Sequence, residues 1–283
     1  MIGIDLQKAA SFGVAGNFTG HLEQAGEDKD FKNVKTREAN APKALFPTYL
    51  PAAANGVPDF LTVFPFSGNS IVFPKGEEKL QIEPECALVC KAVWNGDTVT
   101  SLVPFAFAAS NDCSIRKEGS HKISCKKNWG KDSKGLADNL IQIDSFTESG
   151  ILNTYRIASF LQRDGSLTEY GEDSAVRNYS YVYQKLLDWC LEKLNSQADE
   201  GPVENIHSYL LASGKPETLI LSIGATRYTD FGKTHFLQEK DLSIVMLYPE
   251  NRYSGEELKE FALGKKAAPA DISLLRQRVS LGF

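Results

Sequence analysis

The 283-residue sequence lacks any apolar run long enough to cross a membrane. Its longest apolar windows, such as residues 103–109, are far shorter than the about 20 residues that a transmembrane helix needs. The first ten residues, MIGIDLQKAA, also lack the basic-then-apolar plan of a secretory signal. We therefore expect a soluble, cytoplasmic protein without a membrane partner.

Cysteine is scarce and present in an odd number, five, which does not suit a disulfide framework. Without an export signal we expect free thiols. Four cysteines and one histidine are the candidates for a zinc site: Cys86, Cys90, Cys113, Cys125 and His121. Their spacings match neither a zinc knuckle nor a zinc ribbon, and no His or Asp stands near a cysteine to activate it as a nucleophile. Buried apolar cysteines are the favoured interpretation.

A basic stripe is also missing. The 31 Lys and Arg residues are interspersed among 36 Asp and Glu residues, giving a formal net charge of -5. Nucleic acid is therefore not an expected partner. We find no internal repeat and no low-complexity tract. A hydrophobic content of 42% is ordinary for a globular protein with a substantial core.

Segments with a strand-like pattern outnumber those with a helix-like pattern in the sequence. Residues 10–60 are rich in Gly, Ala, Pro and Asn, which predicts loops and short helices over a scaffold. Apolar, β-branched runs predict strands at 61–73, 80–93 (one strand or a pair), 140–143, 154–160, 218–223 and 242–247. This pattern is typical of a β-rich α+β fold.

The other segments are less regular. Residues 176–195 carry apolar side chains at three- and four-residue spacing and predict an amphipathic helix packed on the sheet. Residues 103–109 suit either a helix or a strand, and 117–140 predict a long loop whose lysines are solvated. The stretch from residue 267 onward is mixed and compatible with a helix.

Two glutamates interrupt the predicted strand over residues 80–93. Glu83 and Glu85 stand two apart, so their side chains point the same way in a strand. Two buried like charges need a cation or a shared proton, and Mg²⁺, Mn²⁺ and Ca²⁺ prefer oxygen ligands. An exposed edge strand with both glutamates in water is the alternative. Asp112, in the polar turn after residues 103–109, would by itself be a turn residue, but with the glutamates it completes a three-carboxylate cation site.

An ordered set of motifs resembles the fumarylacetoacetate hydrolase superfamily. The family's Glu-x-Glu strand is similar to EPECALV at residues 83–89, and its Asn-Asp-x-Ser-x-Arg motif is similar to NDCSIR at 111–116. The other matching segments are NFTGH at 17–21, NSIVFP at 69–74, Trp129 with the lysines that follow it, and IGAT at 223–226. The matches span roughly residues 10–247 in the family's order.

The resemblance implies a β-rich mixed sheet roll of the fumarylacetoacetate hydrolase C-terminal domain type, and a homodimer. Residues 1–60 would form an N-terminal segment with a lid-like loop, packed on a β-rich catalytic domain of residues 61–283. Glu83, Glu85 and Asp112 would bind Mg²⁺, or else Mn²⁺ or Ca²⁺. The substrate would be a small acid.

The resemblance also assigns residues to the chemistry. His21 would be the general base with Glu23 as its acidic partner, and Lys134, or else Lys131, would contact substrate oxygens and stabilise an enolate. Thr226 and Asn17 would bind substrate.

The chain departs from the family at two of these places. Glu23 stands two rather than three residues after His21, which on a helix points it away from the histidine. Ala225 separates a glycine and a threonine that are adjacent in the family.

The function predicted from the sequence is that of a divalent-metal-dependent hydrolase acting on a 1,3-dicarbonyl or 2-oxo acid such as an acyl pyruvate. Decarboxylation and keto–enol isomerisation are close alternatives. The rival hypothesis is a catalytically inactive relative that binds a small acid.

Overall fold

Two large β-sheets pack against each other in the computed structural model, which describes residues 4–29, 31, 34, 36–117 and 119–282. The strands are β1 (Ala10–Ala15), β2 (Ala44–Tyr49), β3 (Phe66–Ser67), β4 (Ser70–Phe73), β5 (Leu80–Gln81), β6 (Pro84–Asn95), β7 (Thr98–Asn111), β8 (Ser114–Ile115), β9 (Lys134–Leu136), β10 (Ile141–Gln142), β11 (Tyr155–Arg163), β12 (Ser166–Ala175), β13 (Thr218–Ala225), β14 (Leu242–Pro249) and β15 (Ser273–Leu281).

The first sheet has the strand order β2-β1-β13-β6-β7-β9-β3, with β10 also paired to β7. The second has the order β12-β11-β14-β15-β4, and β5 pairs with β8 in a small ribbon. Most pairs are antiparallel, whereas β1–β13, β3–β9 and β4–β15 are parallel. The predicted α+β fold built on mixed sheets is confirmed.

The helices are short and lie outside the sheets. They are α1 (His21–Ala25), α2 (Tyr183–Ser196), α3 (Ile206–Ala212), α4 (Asp230–Thr234) and α5 (Gly255–Leu263). The predicted helix at 176–195 is largely α2, preceded by a 3₁₀ turn, and its apolar face is buried as its spacing requires. No described helix has the length and apolar character needed to span a bilayer.

Two predictions of secondary structure were wrong. Residues 10–60 contain two strands, β1 and β2, whose residues are all buried, so they show no alternation of apolar and polar side chains. The C-terminal stretch is the strand β15 rather than a helix, because Ser273 and Gln277 face inward with Leu275 and Val279 in a two-residue period. Helix α5 precedes it and begins at a capping box formed by Ser254 and Glu257.

The predictions agree better with the structure in the segments that carry the candidate site. Residues 80–93 contain two consecutive strands, β5 and most of β6, with the break at residues 82–83. Residues 103–109 lie in the long strand β7. In the predicted loop at 117–140, the described residues (117 and 119–140) form a 3₁₀ turn, Ile123–Lys126, and the short strand β9.

Candidate active site

Three carboxylates meet where β6 and β7 pair. Glu83 precedes β6, Glu85 is its second residue, and Asp112 follows β7 directly. The antiparallel register sets Pro84 opposite Asn111, so Asp112 N–H donates to the Glu83 carbonyl over 3.1 Å. One oxygen from each carboxylate lies within 4.8 Å of the others, and each residue is at most 3% exposed. The strand geometry therefore brings the three predicted ligands together inside the protein.

The residues around Asp112 hold this arrangement. Asn111 Oδ1 accepts the Glu83 N–H at 3.0 Å, while Asn111 Nδ2 donates to Gln277 Oε1 at 3.1 Å in the other sheet. Ser114 Oγ donates to the Asp112 carbonyl at 2.9 Å. The NDCSIR motif thus fixes the backbone that presents Glu83 and Asp112.

Three buried cations pair with these carboxylates. Arg116 Nη2 lies 2.6 Å from Glu83 Oε1, and Lys134 Nζ lies 2.7 Å from Asp112 Oδ1. Lys127 Nζ lies between the remaining oxygens, 2.6 Å from Glu83 Oε2 and 3.0 Å from Asp112 Oδ2. Every carboxylate oxygen of Glu83 and Asp112 therefore has a cationic neighbour. Treating Lys126 and Lys127 as solvated loop charges was wrong, since both are 2% exposed.

Glu85 is held differently from its neighbours. Its Oε2 accepts the Gly224 N–H at 2.8 Å, and burial together with the charges of Asp112 and Glu83 raises its pKa well above the usual range. Burial also opposes ionisation of Glu83, but Lys127 and Arg116 outweigh it and keep the pKa of Glu83 well below its usual range. Glu83 therefore stays ionised, whereas Glu85 favours its protonated form.

His21 begins helix α1 and is buried. Its Nδ1 lies 2.9 Å from the Thr226 carbonyl, which can only accept, so Nδ1 carries the hydrogen and Nε2 keeps its lone pair in the neutral ring. Burial is the main reason that the pKa of His21 is lowered. The ring is thus neutral near pH 7, in the state that a general base requires.

The acidic residue that approaches the site from the region of α1 is Glu27 rather than the predicted Glu23. Glu23 is exposed, whereas Glu27 is buried and its Oε1 lies 2.7 Å from Arg116 Nη1 and 3.1 Å from Lys126 Nζ. Burial alone would raise the pKa of Glu27, but Arg116 and Lys127 lower it to about 2. Sequence spacing missed Glu27 because it follows the αL residue Gly26, which ends the helix.

The two candidate lysines separate clearly. Lys134 is 1% exposed in β9, with its Nζ also donating to the Cys113 carbonyl, whereas Lys131 is exposed. Burial, with the nearby charge of Lys127, lowers the pKa of Lys134 despite its contact with Asp112. Of the two candidates, Lys134 is therefore the lysine that lies beside the carboxylates.

The two candidate substrate-binding residues differ in how their side chains are used. Asn17 Nδ2 donates to the Ile223 and Tyr181 carbonyls and Oδ1 accepts the Tyr181 N–H, so its amide ties β1 to β13. Thr226 Oγ1 is buried and makes no hydrogen bond to any residue that the structure describes. Within the described part of the chain, the Thr226 hydroxyl is therefore free to bind a ligand. The amide of Asn17 is instead used up in hydrogen bonds to the backbone.

A small cavity connects these groups. His21, Glu27, Glu83, Glu85 and Lys127 line a space of about 10 Å³, which holds roughly one water molecule. A larger pocket of about 560 Å³ lies beside it, with Arg116 and Glu27 in its wall. The carboxylates are therefore closed off from a pocket large enough for a small acid.

Oxygen donors of this kind fit a hard divalent cation. Asp112 Oδ2 is buried and accepts no hydrogen bond from the described residues, and its near neighbour there is the Lys127 ammonium at 3.0 Å. Among the described residues, the triad is the one group of His, Cys, Asp and Glu side chains close enough to hold a metal. The cysteine alternative, Cys86, Cys90, Cys113 and Cys125 with His121, forms no such cluster among these residues. Cys86, Cys90 and Cys113 are buried free thiols as expected, whereas Cys125 is an exposed one.

Solved structures with this architecture come from the fumarylacetoacetate hydrolase superfamily, whose fold the chain shares. One is 2-keto-3-deoxy-D-arabinonate dehydratase complexed with magnesium and 2,5-dioxopentanoate, at TM-score 0.56 and 15% identity, covering 100% of this chain and 83% of that one. Another is fumarylpyruvate hydrolase from Pseudomonas aeruginosa in complex with Mn²⁺ and pyruvate, at TM-score 0.52 and 14% identity, covering 96% and 90%. The fold that the motif resemblance implies is confirmed by these structures.

The chain itself belongs to a family of unknown function, DUF5718, whose model matches residues 27–279. No curated protein matches the sequence.

Proposed function

We propose that this protein is an enzyme that binds one divalent cation, Mg²⁺ first and Mn²⁺ or Ca²⁺ as alternatives, through Glu83, Glu85 and Asp112. Its substrate would be a 2-oxo acid or 1,3-dicarbonyl acid such as an acyl pyruvate. Hydrolysis of a carbon–carbon bond is our first choice, with decarboxylation and keto–enol isomerisation as alternatives. The observation that carries the proposal is the convergence of three buried carboxylates within 4.8 Å. The magnesium and manganese complexes of the similar structures support it.

The residues of the site suit chemistry through an enolate. A bound cation would polarise the substrate carbonyl. Lys134 offers an ammonium next to Asp112 to stabilise a developing negative charge on oxygen. His21 Nε2 would accept a proton, and the free hydroxyl of Thr226 would donate to the substrate carboxylate. Asn17 would act indirectly, through the backbone it holds.

Access to the carboxylates requires a movement. A cavity of about 10 Å³ cannot admit a 2-oxo acid. One side of this cavity is formed by Glu27 and by the segment that leads into α1, residues 14–18. We propose that this segment is the lid-like part of residues 1–60 and that it opens toward the larger pocket. A homodimer is also part of the proposal, and sedimentation velocity on the purified chain tests it.

Calorimetric titration with Mg²⁺ and Mn²⁺ tests the metal site. Glu85→Gln is the sharpest variant, because the amide oxygen can still accept the Gly224 N–H while the charged ligand is gone. We expect the wild type to bind and the variant to bind at least about tenfold more weakly, a loss of roughly 1.4 kcal/mol. Glu78→Gln, which changes an exposed glutamate nearby, is the matched control and should bind as the wild type does. Absence of any divalent-ion binding by the wild type would remove the proposed site.

The second candidate function is binding of a small acid without turnover. The exposed position of Glu23 favours it, since the predicted partner of His21 is missing from the site. Turnover of acyl pyruvates and oxaloacetate by the metal-loaded wild type, lost in His21→Ala, would support the enzyme. If no turnover occurs and His21→Ala leaves pyruvate affinity unchanged, the binding protein is the better description.

A further inference from the structure

We propose that Lys127 is a built-in counter-ion that occupies the carboxylate cluster and must leave when a divalent cation binds. The inference rests on the proposed function, because it concerns the same three carboxylates. It assigns to this lysine a role that neither its sequence context nor the family resemblance indicates.

The position of the ammonium is the first argument. Lys127 Nζ bridges the start of β6 and the end of β7 by contacting the flanking residues, Glu83 Oε2 at 2.6 Å and Asp112 Oδ2 at 3.0 Å. On another side it lies 5.2 Å from the centre of the Phe46 ring. A cation shared by Glu83 and Asp112 would need these same two oxygens or others already paired with Arg116 and Lys134. Within the part of the chain that the structure describes, Lys127 is the one cation that bridges both ligands.

The balance of charge is the second argument. Among the described residues, the buried cluster contains four carboxylates and four cations, namely Glu27, Glu83, Glu85 and Asp112 with Arg116, Lys126, Lys127 and Lys134. Cations and carboxylates are therefore equal in number in the described cluster before any metal is added. A divalent ion added while Lys127 stays in place brings two further positive charges beside an ammonium in a poorly screened interior.

Space is the third argument. The cavity beside Lys127, Glu83 and Glu85 has room for roughly one water molecule. Mg²⁺ demands six ligands at 2.0–2.1 Å and usually keeps several waters. Removal of the ammonium would free both volume and ligand oxygens. Because lysine has a flexible four-carbon stem, displacement requires movement of a side chain rather than of the sheets.

Two consequences follow. The metal-free protein is stabilised by Lys127, since the lysine neutralises carboxylates that would otherwise be buried without a partner. The affinity for a divalent cation is lower than three carboxylates alone would give, because binding has to break two ion pairs. Lys127 and the metal are thus competitors for one site.

The test compares Lys127→Met, which keeps most of the length of the side chain without its charge, with Lys131→Met, which changes an exposed lysine in the same segment. In EDTA, we expect the melting temperature of Lys127→Met to fall below that of the wild type and to recover when Mg²⁺ or Mn²⁺ is added. By calorimetry, its dissociation constant for Mn²⁺ should be smaller than that of the wild type by roughly tenfold, within the range usual for coupled binding. Lys131→Met should match the wild type in both measurements.

The outcomes separate this inference from the proposed function. Equal Mn²⁺ affinities of wild type and Lys127→Met would overturn the competition while leaving the metal site intact. Absence of binding by both would refute the metal site itself, and the inference with it. Lys127→Gln, whose amide can still donate a hydrogen bond to Glu83, provides the same comparison if the methionine variant is too unstable to purify.

Discussion

At the scale of single residues, Glu204 is a buried acid outside the candidate site. Ser124 Oγ donates to its Oε1, and its Oε2 is buried without a hydrogen bond from the described residues. Burial is the main cause that raises its pKa to about 7, with the charge of Asp199 acting the same way and Ser124 and Lys122 opposing it. Ser124 belongs to the 3₁₀ turn that leads to Lys127, so Glu204 anchors the segment that reaches the carboxylates.

We predict that Glu204 makes the protein less stable as the pH rises. A carboxyl group with a folded pKa of about 7 binds its proton more tightly in the folded chain than in the unfolded one, where the pKa is near 4.5. As far as this group is concerned, stability is therefore highest below about pH 4.5. The free energy of unfolding falls by about 3 kcal/mol as the pH rises from about 4.5 through 7.

Urea unfolding between about pH 5 and 8 checks this prediction. Glu204→Gln should remove that part of the pH dependence, so the difference in stability between variant and wild type should grow with pH in favour of the variant. Glu200→Gln, at an exposed glutamate nearby, should keep the wild-type dependence. Parallel curves for Glu204→Gln and wild type would contradict the assigned pKa.

Single residues also mark where sequence reasoning was sufficient and where it was not. The convergence of Glu83, Glu85 and Asp112 followed from alternation in a strand and from the ordered motifs. Lys127 could not be recognised, because it lies in a charged segment without periodicity and its burial comes from tertiary contacts, with Glu83, Asp112 and Phe46 among its neighbours. The roles assigned to the site residues stay predictions.

At the scale of elements, strand β13 carries a bulge that shapes the site. Its register with β6 shifts between Ser222 and Ala225, and Gly224, inside the shift, has φ +118°. The Gly224 N–H is thereby aimed at Glu85, and its carbonyl accepts the Tyr179 hydroxyl at 2.6 Å. Bulges of this kind re-aim groups at functional sites, and only glycine adopts this backbone conformation without strain.

We predict that Gly224→Ala destabilises the fold by about 1–3 kcal/mol, because the added Cβ would be strained at this φ and would lie 3.1 Å from Asn17 Cβ. The variant should also bind Mn²⁺ more weakly, since the anchor of Glu85 shifts. Urea unfolding and calorimetry measure the two effects. Gly255→Ala is the control: its added Cβ meets nothing within 4 Å and no positive φ strains it, so stability should change little. Wild-type stability in Gly224→Ala would show that the bulge tolerates a side chain.

Elements differed in how far the sequence predicted them. β13 and β14 were foreseen because their runs are apolar and rich in β-branched residues. β1 was not, because its sequence ASFGVA contains small residues of low strand propensity that fit only between two neighbouring strands. The stretch of β15 was considered compatible with a helix and not recognised as a strand, because Ser273 and Gln277 interrupt its apolar face.

At the scale of the whole molecule, the N-terminal strands belong to the sheet that carries the carboxylates. β1 lies between β2 and β13, and β13 in turn pairs with β6. Phe12 and Leu45 are fully buried in the main core cluster, together with Leu88 from β6. The lid-like function proposed for part of residues 1–60 is therefore combined with a structural role for β1 and β2.

We predict from this arrangement that residues 61–283 do not fold without residues 1–60. Truncation would leave β13 as an unpaired edge whose Leu219, Ile220 and Leu221 are fully buried in the intact chain, and such an edge promotes aggregation. It would also remove Phe12 and Leu45 from the core, each costing about 2–5 kcal/mol, which together rival the whole stability of a typical domain. Expression of residues 61–283, followed by size-exclusion chromatography and thermal unfolding monitored by circular dichroism, provides the measurement. Recovery of a monodisperse fragment with a cooperative transition near that of the intact chain would mean that the second part of the chain is an independent domain and that β1 and β2 merely pack on it.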